Sequence, residues 1–232
     1  MRAGVSSFAH VPIRGGEVGA GAAKAFGAAE CTIEPTLTLA YFYCHDLQGH
    51  ACHGHPRARA LGEARERTQE RAGDDLWVAG LKGITTRCLE RAGRGDMRMV
   101  GKDMSHVFMY WSGYVSAGMD ALRTLVEAGG IDRVALGTDF GASWCGPAEI
   151  AIEAEMLGLA LGDMGAGPAQ LLRMATLGSA RALGIEGRLG SIDVGKEADL
   201  VAFDGDPLVD VTVLKRVPFV MKDGREFTGG PG

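Results

Sequence analysis

Asp139 closes the short apolar run Val134-Ala-Leu-Gly-Thr138. A carboxylate at the C-terminal end of a buried parallel strand stands on the face of an α/β barrel where chemistry is done. There it can ligate a metal ion or take a proton from an activated water. On spacing alone, a turn or helix-capping Asp stays open as the plainer assignment. His10 ends a second short apolar run, Val5-Ser-Ser-Phe-Ala9. A lone His is more often a hydrogen-bonded core or surface residue than a ligand. Placed like Asp139, however, it would bring imidazole and carboxylate from neighbouring strand ends into one pocket. The third constellation is Cys44-His-Asp-Leu-Gln-Gly-His-Ala-Cys-His-Gly-His55, with donors at Cys44, His45, His50, Cys52, His53 and His55. Such donors suit zinc or copper, but their spacing fits no closed finger. His53-Gly-His55 would need a strand to aim both rings one way, and no apolar strand leads in. The favoured reading is a polar loop near the pocket with adventitious metal affinity.

These residues need strands to hold them. Val5–Ala9 reads as a short buried strand, Ala20–Ala29 as an Ala-rich helix and Cys31–Leu39 as a strand limited by Pro35. Strand, helix, strand in forty residues is a βαβ unit and implies a parallel sheet. Cys44–Gly101 is a long excursion, with a charged helix over Ala60–Arg71. Met119, Leu122, Leu125 and Val126 fall at helical spacing before Gly129-Gly130. Val134–Thr138 is then a third strand, parallel to the first two and in sequential order with them. Pro147 opens a helix with Ile150, Met156, Leu157 and Leu161 on one side; Pro168 opens another, ended by Gly184. From Gly187 the helical period disappears. Short strands are expected at Ser191–Val194, Asp199–Phe203 and Val217–Met221, with Asp223-Gly224 turning a hairpin that pairs Phe219–Met221 with Arg225–Phe227.

Composition sets the outer limits. The 232 residues are 46% hydrophobic and 23% charged, which excludes a disordered or fibrous chain. The net charge of −5 disfavours a nucleic-acid partner, and no apolar run approaches the ~20 residues of a membrane span. Five cysteines, an odd number, point to a reducing, cytoplasmic setting rather than a disulfide scaffold. The 36 glycines, about twice the usual share, suit an α/β chain with many tight connections.

Several segments resemble the amidohydrolase superfamily. Val134-Ala-Leu-Gly-Thr-Asp-Phe-Gly141 is similar to its last barrel strand. Leu189-Gly-Ser-Ile-Asp-Val-Gly-Lys-Glu-Ala-Asp-Leu-Val-Ala-Phe-Asp-Gly-Asp-Pro207 resembles the segment that leaves the barrel for the adjoining β-sandwich, and Met174–Gly184 the helix before it. Val217–Phe227 resembles the closing hairpin. Ala3-Gly-Val-Ser-Ser-Phe-Ala-His10 is similar to the sixth strand of the imidazolonepropionase- and prolidase-like branch, where that strand ends in a metal-binding His. The likeness covers about 1–43 and 115–228.

The resemblance implies an α/β fold: a partial (β/α)8 TIM barrel, about strands 6–8, over residues 1–186, followed by a small β-sandwich module at 187–228. It implies hydrolysis of C–N bonds in a small amide or cyclic amide, with one or two divalent metals, commonly zinc. His10 becomes a candidate metal ligand; Asp139 becomes a candidate ligand and the catalytic base. The family's His-X-His of the first strand and its ligands on the fourth and fifth strands have no counterpart. The expectation is therefore a fragment with part of the metal site and little activity alone, completed by a missing N-terminal half or by a homo-oligomer. The competing expectations are a catalytically inactive amidohydrolase-like binding or assembly protein, and a protein that sequesters metal through Cys44–His55.

Overall fold

The computed structural model describes residues 5–11, 18–38, 104–138 and 149–227; within the helices, side chains are described from Ala117 and from Ile150. Asp139, the Cys44–His55 run and the helix expected at Ala60–Arg71 lie outside the described residues.

β1 (Ser7–Ala9), α1 (Ala20–Ala28) and β2 (Thr32–Glu34) form the expected βαβ unit. The strands are parallel, with Ser7 opposite Thr32 and Ala9 opposite Glu34. After α2 (Met104–Gly129) the chain returns to the same sheet, where Val134 bridges Ile33 in parallel and Ala135 N donates to Ile33 O at 2.9 Å. Three neighbouring parallel segments in chain order are what the sequence led us to expect. They are shorter than expected, though, and Val134 alone of its run makes a ladder bridge.

β2 stops at Glu34, not Leu39, for two reasons. Pro35 cannot donate to a ladder. Thr36 then takes a left-handed backbone, φ 52°, and Leu37 and Thr38 begin a helical turn.

The sheet sorts its two faces by the period of two. Phe8, Ile33, Val134 and Leu136 meet the helices. The Phe8 ring stands edge-on to Phe26 of α1, centroids 5.8 Å apart. The Arg133 guanidinium lies over the same Phe26 ring and donates to the carbonyls of Phe26 and Ala29 at the end of α1. α1 and α2 approach closely enough to require glycine: a Cβ on Gly27 would sit 2.5 Å from Ala128 O. Met119, Leu122, Leu125 and Val126 are buried, as their spacing predicts.

α3 (Glu149–Leu161) buries Met156, Leu157 and Leu161 completely, whereas Ile150, expected on the same side, is 38% exposed in the first turn. Arg123 of α2 clamps the end of α3, donating to Ala160 O at 2.8 Å and to both Asp163 carboxylate oxygens at 2.5 and 3.0 Å. α4 (Pro168–Arg173) opens on Pro168 and runs through a π-helical turn, Met174–Gly178, into α5 (Ser179–Ala182). That turn meets the sheet: Leu136 N donates to Met174 O at 3.2 Å, and Ser179 Oγ donates to Leu136 O at 3.1 Å.

The last forty residues hold an antiparallel sheet in the order β3 (Leu200–Ala202), β4 (Phe219–Lys222), β5 (Arg225–Phe227). The Asp223-Gly224 turn places Met221 opposite Glu226 and Lys222 opposite Arg225. Asp199 braces it, accepting from Asp223 N at 2.9 Å and Lys222 Nζ at 2.6 Å. The strand expected at Ser191–Val194 does not form; Ile192 and Val194 project outward and no ladder partner faces them among the described residues. Within β2, Thr32 Oγ1 is buried without a hydrogen-bond partner among the described residues. Among those residues no helix is long and apolar enough to cross a membrane.

Candidate active site

His10 follows β1 and stays on the ladder, its N–H donating to Glu34 O at 2.9 Å. Its backbone is left-handed, φ 66°, as is that of Thr36 just beyond β2. Such conformations are uncommon outside glycine, and for β-branched Thr the position is a true outlier. The two side chains meet: His10 Nδ1 lies 2.5 Å from Thr36 Oγ1. Thr36 Oγ1 gives its own proton to Pro35 O at 2.7 Å. With its proton on Pro35 O the hydroxyl can only accept from the ring, an arrangement that in the neutral imidazole puts the proton on Nδ1 and the lone pair on Nε2. Nε2 has no hydrogen-bond partner among the described residues.

Behind this corner lies Glu153 of α3, fully buried. Its Oε1 accepts from Leu37 N at 3.0 Å; its Oε2 accepts from Thr38 N at 2.7 Å and from Thr38 Oγ1 at 2.5 Å. Loss of solvent outweighs these donors and pushes the carboxyl up to about 7. On the polar face of the sheet, Ser7 Oγ donates to Glu34 Oε1 at 2.5 Å. Gly137 leaves space beside it: a Cβ there would lie 3.1 Å from Glu34 Cβ.

Of the residues expected to do chemistry, the structure describes His10 at the C-terminal end of the parallel segments. Thr138 ends the third segment on that side; Asp139 follows it in sequence, outside the described residues. Sequence reasoning missed Thr36 and Glu153. Thr36 has no local signal. Glu153 has one: an acid three residues after Ile150 and four before Leu157, inside an apolar helical stripe.

A second acidic group, Glu197, Asp199 and Asp223, brings ligand atoms within 4.8 Å of one another in the C-terminal sheet. Their charges are already met. Glu197 pairs with Arg188, and Lys222 pairs with Asp199 and Asp223. Those contacts hold Asp199 below the usual carboxylate range, with the Asp223 N–H the largest cause. The group serves the hairpin.

The sequence model of the amidohydrolase family matches residues 50–227. The chain belongs to the amidohydrolase family. The match leaves out residues 1–49 and runs into the 44–114 stretch that the sequence reading left outside the resemblance. The chain is 33% identical over 120 residues to an imidazolonepropionase of Rubrobacter xylanophilus, a stretch covering 50% of this chain and 27% of the relative. It is 42% identical over 137 residues to a 5-methylthioadenosine/S-adenosylhomocysteine deaminase of Syntrophobacter fumaroxidans, covering 56% and 31%. The matches thus take in under a third of those relatives' length. A putative prolidase from Bifidobacterium longum superposes with a TM-score of 0.61 at 21% identity, over 97% of this chain and 42% of that one. A Xaa-Pro dipeptidase with bound methionine gives 0.59 at 24% identity, over 98% and 41%. These structures show the fold, an α/β architecture of the TIM-barrel type. The amidohydrolase family generally works with a divalent metal ion. His10 suits one as a single ligand, because its Nδ1 is held by a neighbour and its Nε2 has no hydrogen-bond partner among the described residues.

Proposed function

We propose that this amidohydrolase carries the C-terminal share, about strands 6–8, of a metal-dependent barrel that hydrolyses a C–N bond in a small amide or cyclic amide, in the cytoplasm. Residues 1–186 would supply barrel and 187–228 a small sandwich module. The supporting observation is the His10–Thr36–Pro35 chain, which engages Nδ1 and leaves Nε2 as the ring nitrogen without a hydrogen-bond partner among the described residues. The relatives are named an imidazolonepropionase and a 5-methylthioadenosine/S-adenosylhomocysteine deaminase, which supports the substrate class.

In this reading His10 and Asp139 hold a divalent ion, zinc by preference, together with ligands from outside the described residues. When bound, the ion supplies Lewis acidity and makes water more acidic. The chain's own part is to hold the imidazole in one tautomer and to offer the Asp139 carboxylate as proton acceptor and then donor to the leaving nitrogen. Structural and catalytic zinc sites take three or more protein ligands, so hydrolysis by the 232 residues alone is expected at background.

Zinc titration against a chromophoric chelator tests the assignment. His10→Ala and Asp139→Asn should each weaken zinc binding by roughly tenfold or more. In an enzyme completed by the remaining ligands, Asp139→Asn should also cut kcat by ~10²–10⁴. Unchanged zinc affinity in both variants overturns the ligand assignment. Robust turnover by the chain alone overturns the incomplete-site reading.

A further inference from the structure

We propose that Glu153 is a positioning residue for His10, acting through the Pro35–Thr38 corner and fixing which imidazole nitrogen is free to bind. The inference builds on the reading of His10 as a ligand, although its geometry stands by itself.

No hydrogen bond joins Glu153 to His10 directly, but hydrogen bonds at each end and the covalent backbone from Thr36 to Thr38 connect them. The carboxylate takes the N–H groups of Leu37 and Thr38, one on each oxygen, and the Thr38 hydroxyl as well. Those amides begin the helical turn that follows Thr36, so their directions are set by a side chain from another element. Thr36 precedes them at φ 52°, a conformation a β-branched residue keeps only when its surroundings over-determine it. With the two following amides anchored, Thr36 cannot relax without pulling them off a buried carboxylate. Its hydroxyl stays between Pro35 O and His10 Nδ1. His10 is itself left-handed at φ 66°, and the residue joined to it by this hydrogen bond shares its conformation. Two non-glycine residues in that region, in contact at the ends of adjacent strands, are the pattern of strain kept for a site.

The ionised carboxylate suits this task better than an amide. In that form both oxygens accept from backbone N–H groups, whereas Gln would turn an NH2 toward one of them, donor against donor. Glu153→Gln thus preserves size while freeing one amide of the corner.

The test is long-range 1H–15N correlation of the His10 ring in the full chain without metal, the signal being assigned by its loss in His10→Gln. In the unaltered chain the ring should show a protonated Nδ1 and a lone-pair Nε2. Glu153→Gln should shift it toward a mixed tautomer, as should Thr36→Val, and the double variant should move it no further than Thr36→Val. Zinc affinity should fall about 10–100-fold in Glu153→Gln. Should Glu153→Gln fail to fold, Thr38→Val removes only the hydroxyl donor and should shift the ring the same way by less. A lower melting temperature with an unmoved His10 ring in these variants makes Glu153 purely structural and overturns the proposal. If the ring shifts as expected but zinc never engages His10, positioning stands and the ligand assignment falls.

Discussion

Glu153 is a carboxyl kept from water in a site rich in donors, and burial pushes it up to about 7 from 4.5 because desolvation exceeds what its hydrogen bonds to Thr38, Leu37 and Thr36 return. The sign of its effect on folding follows. Below about pH 4.5 the group is protonated in both states and carries no pH-dependent penalty. Between 4.5 and about 7 the unfolded chain releases a proton that the folded chain keeps, so stability falls as pH rises and levels off beyond. The full effect is roughly 3 kcal/mol at 1.36 kcal/mol per unit. Urea midpoints at pH 4.5 and 7.5 should show this decline in the unaltered chain and lose most of it in Glu153→Gln. Equal declines in both would mean that the buried carboxyl titrates at its ordinary value.

Elements in this chain end where distant groups make them end. The parallel succession β1, β2, Val134 was legible from apolar runs separated by helices, and the hairpin from Asp223-Gly224. Buried Met119, Leu122 and Leu125 followed from helical spacing. The end of β2 was not legible. Leu37-Thr-Leu39 looks like strand, yet Leu37 is drawn into a turn by a residue 116 positions away, which no local pattern records. Ile192 and Val194 misled in the opposite direction: they alternate like a strand but lie exposed, with no ladder to join among the described residues. The π-helical turn at Met174–Gly178 was not legible either; it brings Met174 O and the adjoining Ser179 Oγ to Leu136. Helix spacing also rests on residue size. A methyl at position 27 would enter the carbonyl of Ala128 at 2.5 Å, which backbone cannot easily yield. Gly27→Ala is therefore expected to destabilise by about 1–3 kcal/mol, read as a lower urea midpoint, despite alanine's better helix propensity. A neutral or stabilising result would mean that α1 sits farther from α2.

The whole molecule joins a sheet of parallel segments, their apolar face covered by α1, α2 and α3, to a three-stranded antiparallel sheet. Membership of the amidohydrolase family and the barrel-type architecture explain why the polar ends of the parallel segments gather on one side, with His10 among them. The molecule is not packed to an optimum. Thr32 Oγ1, deep beside β1, gives up hydration and gains no hydrogen bond among the described residues. Thr32→Val keeps the shape and removes the orphaned oxygen; it should raise stability by about 1 kcal/mol, read as a higher urea midpoint. A lower midpoint would reveal a partner for that hydroxyl. The consequence reaches past one residue. Proteins lose function when accumulated changes carry them below a stability threshold, and position 32 is a reserve this sequence has not drawn on. A Thr32→Val background would give the strained corner around Thr36 more mutational tolerance, letting substitutions there be judged by their chemistry before they unfold the chain.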